Sequence, residues 1–133
     1  MTENKTALYD EVCKDSYEFG ERRDCVVKAL TIATGLPYKI VHAECSKAGR
    51  RKGCGMYASD WVPLLEKLWL RGIERVPQME GKTVATFGRN MAQSPSTYVV
   101  MVRGHVLCFK NGAVQDWSAD TRRKIRAVYR LNQ

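Results

Sequence analysis

The chain of 133 residues is long enough for one domain with a single core, and its 44% apolar and 27% charged residues exclude extended disorder. No apolar run approaches the roughly 18 to 20 residues of a membrane span, and the polar stretch Met1–Asp15 lacks the apolar core of a signal peptide, so we expect a cytoplasmic protein. Lys and Arg outnumber Asp and Glu by 22 to 14, and the net charge of +8 favours anionic partners.

The five cysteines, an odd number in a chain without a secretion signal, argue against a disulfide framework. The spacing of His42 and Cys45, with a solitary Cys54, lacks a fourth ligand at a usual interval, so we predict no metal site. We interpret Cys45 and Cys54 as core or surface thiols and Cys13 and Cys108 as structural residues.

We predict a single domain over residues 1–133 whose first half is helical. Residues 1–18 contain no predicted element and are expected to form a loosely ordered N-terminal segment. Capping and helix-stopping residues then predict four helices, which run from Asp24 to Gly35, from Pro37 to Gly49, from Ser59 or Asp60 to Gly72, and from Thr83 to Asn90.

The second half of the chain predicts an antiparallel sheet. Its segments rich in β-branched and aromatic residues are Tyr98–Val102, His105–Phe109, Ala113–Trp117 and Ile125–Leu131. The pair Asn111-Gly112 is the strongest hairpin signal in the chain. Helices followed by strands indicate an α+β domain, with N-terminal helices packed on a C-terminal antiparallel sheet.

Cys25 occupies the first position of the first of these predicted helices. There the helix dipole and the unpaired backbone N–H groups favour the thiolate, which attacks carbonyl carbon, and the same N–H groups can bind an oxyanion. The neighbouring Arg22 and Arg23 act in the same direction. On its position alone, a buried helix cysteine is an equally good interpretation.

The predicted hairpin brings a histidine and a carboxylate together. With a two-residue loop at Asn111-Gly112, His105 and Asp116 fall on the same face of the sheet as diagonal neighbours. A carboxylate there holds the imidazole tautomer while the other ring nitrogen serves a thiol. Trp117 either shields this pair or contacts a substrate. The sequence therefore predicts a cysteine–histidine–carboxylate site.

The segment Asp24–Leu30, followed by Thr34–Tyr38, resembles the beginning of small papain-like proteins, which are common in tailed phages and bacteria. Their second half resembles Arg103–Val106 with its hairpin and aspartate strand. The resemblance spans about Gly20 to Trp117. The order of nucleophile, histidine and carboxylate along the chain is also that of papain-like enzymes.

The resemblance implies a minimal papain-like fold in which Cys25 is the nucleophile, His105 the general base and acid, and Asp116 the residue that orients the imidazole. It implies a cysteine hydrolase (a peptidase, a deamidase or an acyltransferase) that acts on proteins or peptides without a cofactor. A phage-encoded member is expected to act in the host cytoplasm.

Papain-like enzymes usually bind the oxyanion with a Gln or Asn side chain a few residues before the cysteine. This chain has Phe19 and Arg23 at the corresponding places, and Arg23 directly precedes Asp24. We therefore expect Arg23 and Asp24 to lie near the oxyanion site, where Arg23 can donate hydrogen bonds. Because losing an oxyanion donor costs about a hundred- to a thousand-fold in rate, a non-catalytic papain-like protein that binds or inhibits a host factor remains the alternative.

Two basic clusters carry much of the net charge. Arg50, Arg51 and Lys52 lie in the glycine-rich stretch Gly49–Gly55, which is either a solvated loop or a loop that binds an acidic substrate or partner. The cluster within Arg122–Arg130 predicts the polar face of an edge strand. Nucleic-acid binding is suggested by charge alone, without a supporting motif.

Overall fold

The computed structural model describes residues 4–133, and within that range five α-helices and one short 3₁₀ helix accompany five β-strands. The helices are α1 (Ala7–Glu18), α2 (Cys25–Thr34), α3 (Tyr38–Lys47), α4 (Ala58–Leu68) and α5 (Val84–Asn90), with the 3₁₀ helix at Pro77–Met79. The strands are β1 (Ile73–Arg75), β2 (Thr97–Val102), β3 (His105–Lys110), β4 (Ala113–Gln115) and β5 (Ile125–Leu131). All strand pairs are antiparallel, so the predicted α+β class is confirmed.

Helix α2 begins at Cys25 and ends before Gly35, as predicted. Gly35 adopts the left-handed conformation, with φ of 74°, and its N–H donates to the carbonyl oxygen of Thr31. A glycine is favoured there because a side chain would strain this backbone. The position of Cys25 at a helix start is therefore set by local sequence.

Helices α3 and α4 differ from the prediction at their ends. α3 begins at Tyr38, because Pro37 keeps an extended ψ of 142° and lies just outside the helix. α4 begins at Ala58, ahead of both predicted caps, and ends at Leu68 instead of reaching Gly72. None of the helices within residues 4–133 combines the length and the apolarity that crossing a lipid bilayer would require.

The segment 1–18 was expected to be loosely ordered, but most of it forms helix α1, so the expectation is wrong over the helix. Residues 1–3 lie outside the described range. The polar composition hid a narrow apolar face, on which Val12 is almost fully buried. A long-range contact also holds the helix start. The buried side chain of Gln115 accepts a hydrogen bond from the N–H of Tyr9 and donates to a carbonyl in the same segment.

The sheet has the strand order β1-β5-β2-β3-β4. Strand β5 matches the predicted range but is not an edge strand, because β1 pairs along its outer side with Ile73 opposite Leu131. The three-residue β1 was too short to predict from sequence. The basic cluster within Arg122–Arg130 therefore does not line a free sheet edge; β1 and β4 are the edges.

Helices cover both faces of the sheet. Helix α2 buries six of its ten residues, and Val106 and Cys108 of β3 belong to the core beneath it. The alternate residues Leu107 and Phe109 pack on the other face with Phe87 of α5. This packing fixes the beginning of α2 against the beginning of β3.

Candidate active site

Cys25 lies where α2 meets the sheet, and its side chain is partly exposed. The backbone N–H groups of Val26 and of Val106, the latter in β3, lower the pKa of its thiol and so favour the thiolate. N–H groups in the first turn of a helix have no partner within the helix, so they can donate to an anion. The fold thus surrounds this thiol with hydrogen-bond donors.

His105 and Asp116 are in contact, with Nε2 of the imidazole 2.7 Å from Oδ2 of the carboxylate. Both side chains are largely buried. The hairpin register that predicts this contact is confirmed, but the predicted strand is too long. The β3–β4 ladder ends at the pair Cys108 and Gln115, so Asp116 follows the strand, and the predicted extension of the strand to Trp117 is wrong.

Ser118 is a member of the site that the sequence analysis missed. It is fully buried, and both its N–H, at 3.1 Å, and its hydroxyl donate to Oδ2 of Asp116. The spacing Asp-x-Ser is typical of a turn in which the carboxylate accepts from the backbone two residues later. That signal is common in sequences, and only the contact with His105 gives it meaning here.

Trp117 covers the imidazole. Its ring lies 5.3 Å from the ring of His105, centre to centre, while the guanidinium of Arg123 lies 5.0 Å from the centre of the indole. Trp117 nevertheless keeps 57% of its surface exposed. The indole can therefore shield the His–Asp pair and still offer a surface to another molecule.

The environment of the site shifts the pKa values of Cys25 and His105 in opposite directions. Burial raises the pKa of the Cys25 thiol, but hydrogen bonds from His105 and from two backbone N–H groups outweigh it, and the pKa lies below its ordinary value. Burial lowers the pKa of His105, but hydrogen bonds and charge interactions with Asp116 and Cys25 raise it to about 9. Since Asp116 takes Nε2, Nδ1 is the ring nitrogen left for the thiol. Both shifts favour the thiolate–imidazolium form of the pair over the neutral form.

Arg50 is not the solvated or substrate-binding side chain that its basic cluster suggested. It is only 6% exposed, and its guanidinium donates to both carboxylate oxygens of Glu21, at 2.8 and 3.0 Å. Its Nε also donates to the carbonyl oxygen of Cys54 at 2.9 Å. The other two members of the cluster, Arg51 and Lys52, are exposed as expected.

Glu21 links three parts of the chain. Besides Arg50 it contacts Nε2 of His42 at 2.6 Å and accepts from the N–H of Gly53 at 3.0 Å. Hydrogen bonds from Arg50 overcome the effect of burial and lower the pKa of Glu21 to about 2. His42, which looked like an ordinary helix residue, therefore belongs to a buried polar network that holds the loop Gly49–Gly55.

Asp24 and Arg23 differ in what they can offer an oxyanion. Asp24 is the N-cap residue of α2, but its carboxylate does not cap the helix. It is buried, accepts from the hydroxyl of Tyr38 at 2.6 Å, and lies 3.6 Å from Nζ of Lys28. Arg23 is exposed, and its guanidinium has no hydrogen bond or ion pair within residues 4–133. Of the two residues, only Arg23 has a side chain that can donate to an oxyanion, and it lines the same cleft as Cys25.

Two clefts meet at Cys25 and His105, and both also contact Gly55 and Gly104. The apolar cleft has a volume of about 640 Å³ and is lined mainly by Val26, Met56, Tyr57, Trp61, Met101, Val102 and Val106, with Arg51 and Asp60 among its polar residues. The basic cleft has a volume of about 370 Å³ and contains Tyr9, Arg22, Arg23, Lys28, Asp116 and Trp117. Lys52 lines neither cleft.

In the described part of the chain, no group of three or more His, Cys, Asp or Glu side chains is arranged to hold a metal ion. Comparison with protein-family models, with characterised proteins and with solved structures found no significant match. The chemistry of the site's own residues is therefore what indicates its function.

Proposed function

We propose that the protein is a papain-like cysteine hydrolase that acts on amide bonds of proteins or peptides. The observation that carries the proposal is the position of His105. Its Nε2 is held by Asp116 at 2.7 Å, and its ring lines the same two clefts as Cys25, which begins helix α2. This is the arrangement in which a carboxylate orients a base and the base activates a nucleophile.

The first half-reaction uses the thiolate–imidazolium pair. The sulfur of Cys25 attacks the carbonyl carbon and forms a C–S bond, and the electron pair of the C=O bond moves onto oxygen. When the tetrahedral intermediate collapses, the C–N bond breaks and the imidazolium of His105 gives its proton to the leaving amine. Water then attacks the thioester while His105 takes its proton, and the C–S bond breaks to release the carboxylic acid and restore the thiolate. An amine in place of water would make the reaction an acyl transfer.

Backbone groups supply the oxyanion site in this proposal. The N–H groups in the first turn of α2 have no partner within the helix, and Arg23 lines the basic cleft together with Cys25. A guanidinium is a charged donor, so Arg23 can take the place of the amide used by papain-like enzymes.

Iodoacetamide labelling at pH 6.5, read residue by residue by mass spectrometry, tests the state of the thiol. We expect Cys25 to react at least ten times faster than Cys54, the exposed cysteine of the neighbouring loop. Cys45 and Cys108 should react slowest, because burial raises their pKa values to about 11 and about 12. A Cys25 that reacts no faster than Cys54 contradicts the proposal.

Turnover is tested by incubating the protein with a peptide mixture prepared from a cell lysate and sequencing the new termini. We expect new cleavage products with the wild type and with Cys54→Ser, the matched control, and none with Cys25→Ser. Products that persist at the wild-type level in Cys25→Ser would rule the mechanism out.

A non-catalytic binding protein on the same scaffold is the second candidate function. It is favoured by one observation, the lack of any Asn or Gln side chain along the two clefts of the described chain. In that case Cys25 would still react with iodoacetamide and take an acetyl group from p-nitrophenyl acetate, but the thioester would persist. An acetylated Cys25 that is released with time supports the hydrolase instead.

A further inference from the structure

The basic cleft contains cationic side chains that the rest of the described protein does not neutralise. Arg22 and Arg23 are both exposed, and within residues 4–133 neither guanidinium forms an ion pair or a side-chain hydrogen bond. They lie three and two residues before Cys25 in the chain and line the same cleft. The cleft that contains the thiol therefore carries two positive charges without a partner among the described residues.

The carboxylates of the same cleft are already engaged. Asp24 accepts from Tyr38 and lies near Nζ of Lys28, while Asp116 accepts from His105 and Ser118. Neither carboxylate is left to neutralise the two arginines. The cleft thus has an excess of positive charge, which favours an anionic group.

The apolar cleft is different in character. The guanidinium of Arg50 in this cleft is paired with the carboxylate of Glu21. The positive charge of the exposed Arg51 is accompanied by the negative charge of the exposed Asp60 in the same cleft. Apolar side chains line most of the remaining wall. An apolar group is the better occupant of this side.

Glycines stand where the two clefts join. Gly55 and Gly104 line both clefts, and a Cβ added to either would meet no atom within 4 Å. No side chain of these two residues separates the clefts where both meet Cys25 and His105. An extended peptide can lie across it with neighbouring residues in both clefts.

We propose that the basic cleft is an anion subsite, so that the preferred substrates are peptides with a carboxylate side chain in the basic cleft and an apolar side chain in the apolar cleft. This inference rests on the proposed hydrolase function and adds its substrate class. Arg22 and Arg23 supply the attraction, and Arg23 also lies near the oxyanion site. The anion preference thus arises from these residues and not from the Arg50 cluster.

The test uses two alkylating reagents of the same size, the anionic iodoacetate and the neutral iodoacetamide. The ratio of their rates at Cys25 measures the electrostatic potential at the thiol. A unit charge acting through water over about 7 Å changes a rate roughly threefold. The double variant Arg22→Gln/Arg23→Gln should therefore lower the ratio of the iodoacetate rate to the iodoacetamide rate about five- to tenfold, and any change in the thiol pKa affects both reagents equally and cancels in this ratio.

The control variant is Arg71→Gln/Arg126→Gln, which removes the same net charge from exposed residues outside both clefts. It should keep the wild-type ratio of rates. The wild-type ratio should also fall as NaCl is raised to 0.5 M, because salt screens exposed charges. A ratio that is unchanged in Arg22→Gln/Arg23→Gln, or that falls equally in the control, overturns the anion subsite.

The two proposals fail in distinguishable ways. If iodoacetamide does not select Cys25 over the other cysteines, the hydrolase itself is refuted. If Cys25 is selected but the two arginines do not alter the ratio, only the anion subsite is refuted.

Discussion

Replacing Glu21 by Gln removes the negative charge from the buried network that holds the Gly49–Gly55 loop. The pKa of Glu21 falls from 4.5 to about 2, chiefly through hydrogen bonds from Arg50, and this change corresponds to about 3 kcal/mol of stability at neutral pH. Leaving a buried guanidinium without its partner independently suggests a loss of about 3 to 5 kcal/mol. We expect Glu21→Gln to lower the free energy of unfolding by about 3 kcal/mol at pH 7.

The pH dependence has a definite sign. Because the carboxyl group of Glu21 has a lower pKa in the folded protein than in the unfolded chain, its stabilisation is fully present above about pH 4.5. It is lost as the pH falls through about 2. The difference in stability between the wild type and Glu21→Gln should therefore narrow over this acidic range.

Urea denaturation followed by circular dichroism measures these differences. Glu18→Gln is the matched control, because Glu18 is exposed and has no ion pair within the described residues. This control should change the free energy of unfolding by less than about 0.5 kcal/mol. Arg50→Met combined with Glu21→Gln should cost less than the sum of the single changes, since the two side chains interact directly. A Glu21→Gln variant within about 1 kcal/mol of the wild type would refute the role given to the network.

Three further predictions concern the site and its hairpin. His105→Asn should slow alkylation of Cys25 by iodoacetamide at pH 6 at least tenfold, with recovery above pH 9, because the hydrogen bond that lowers the thiol pKa is lost; a wild-type rate at pH 6 would contradict this. Ser118→Ala should lower the free energy of unfolding by about 1.5 to 3 kcal/mol, since it removes a hydrogen bond to a carboxylate. A loss below about 0.5 kcal/mol in urea denaturation would refute this prediction. Gly112→Ala should destabilise more than Gly81→Ala in the same assay. Both residues have positive φ, but only at Gly112 would a Cβ lie 2.8 Å from a backbone carbonyl oxygen, so equal losses would rule out the clash.

The hairpin shows what the sequence could predict. Asn111 and Gly112 both have positive φ, as their turn requires, and Lys110 pairs with Ala113, as predicted. This register depends on two adjacent residues and on alternation along the strands, so it is local information. The contact between His105 and Asp116 follows from it, although the strand ends at Gln115, two residues earlier than expected.

The missed features depend on residues far apart in the chain. Arg50 looked like a loop cation because its partner Glu21 lies 29 positions away. Helix α1 has a weak apolar face of its own and gains a contact from Gln115, which lies 106 positions from Tyr9. Local patterns carry no information about such pairs, so burial and pairing of polar residues had to come from the structure.

The insertion of β5 between β1 and β2 has a consequence for how the molecule assembles. The sheet cannot become continuous until the stretch Ile125–Leu131 is in place, because β1 joins the other strands only through β5. Such non-local pairing slows folding, since distant segments must be brought together before their contacts form. On the ribosome, the helix that begins at Cys25 emerges long before this last strand. Until β5 docks, β1 and β2 present open hydrogen-bonding edges, which leaves the nascent chain vulnerable to aggregation until this strand has emerged.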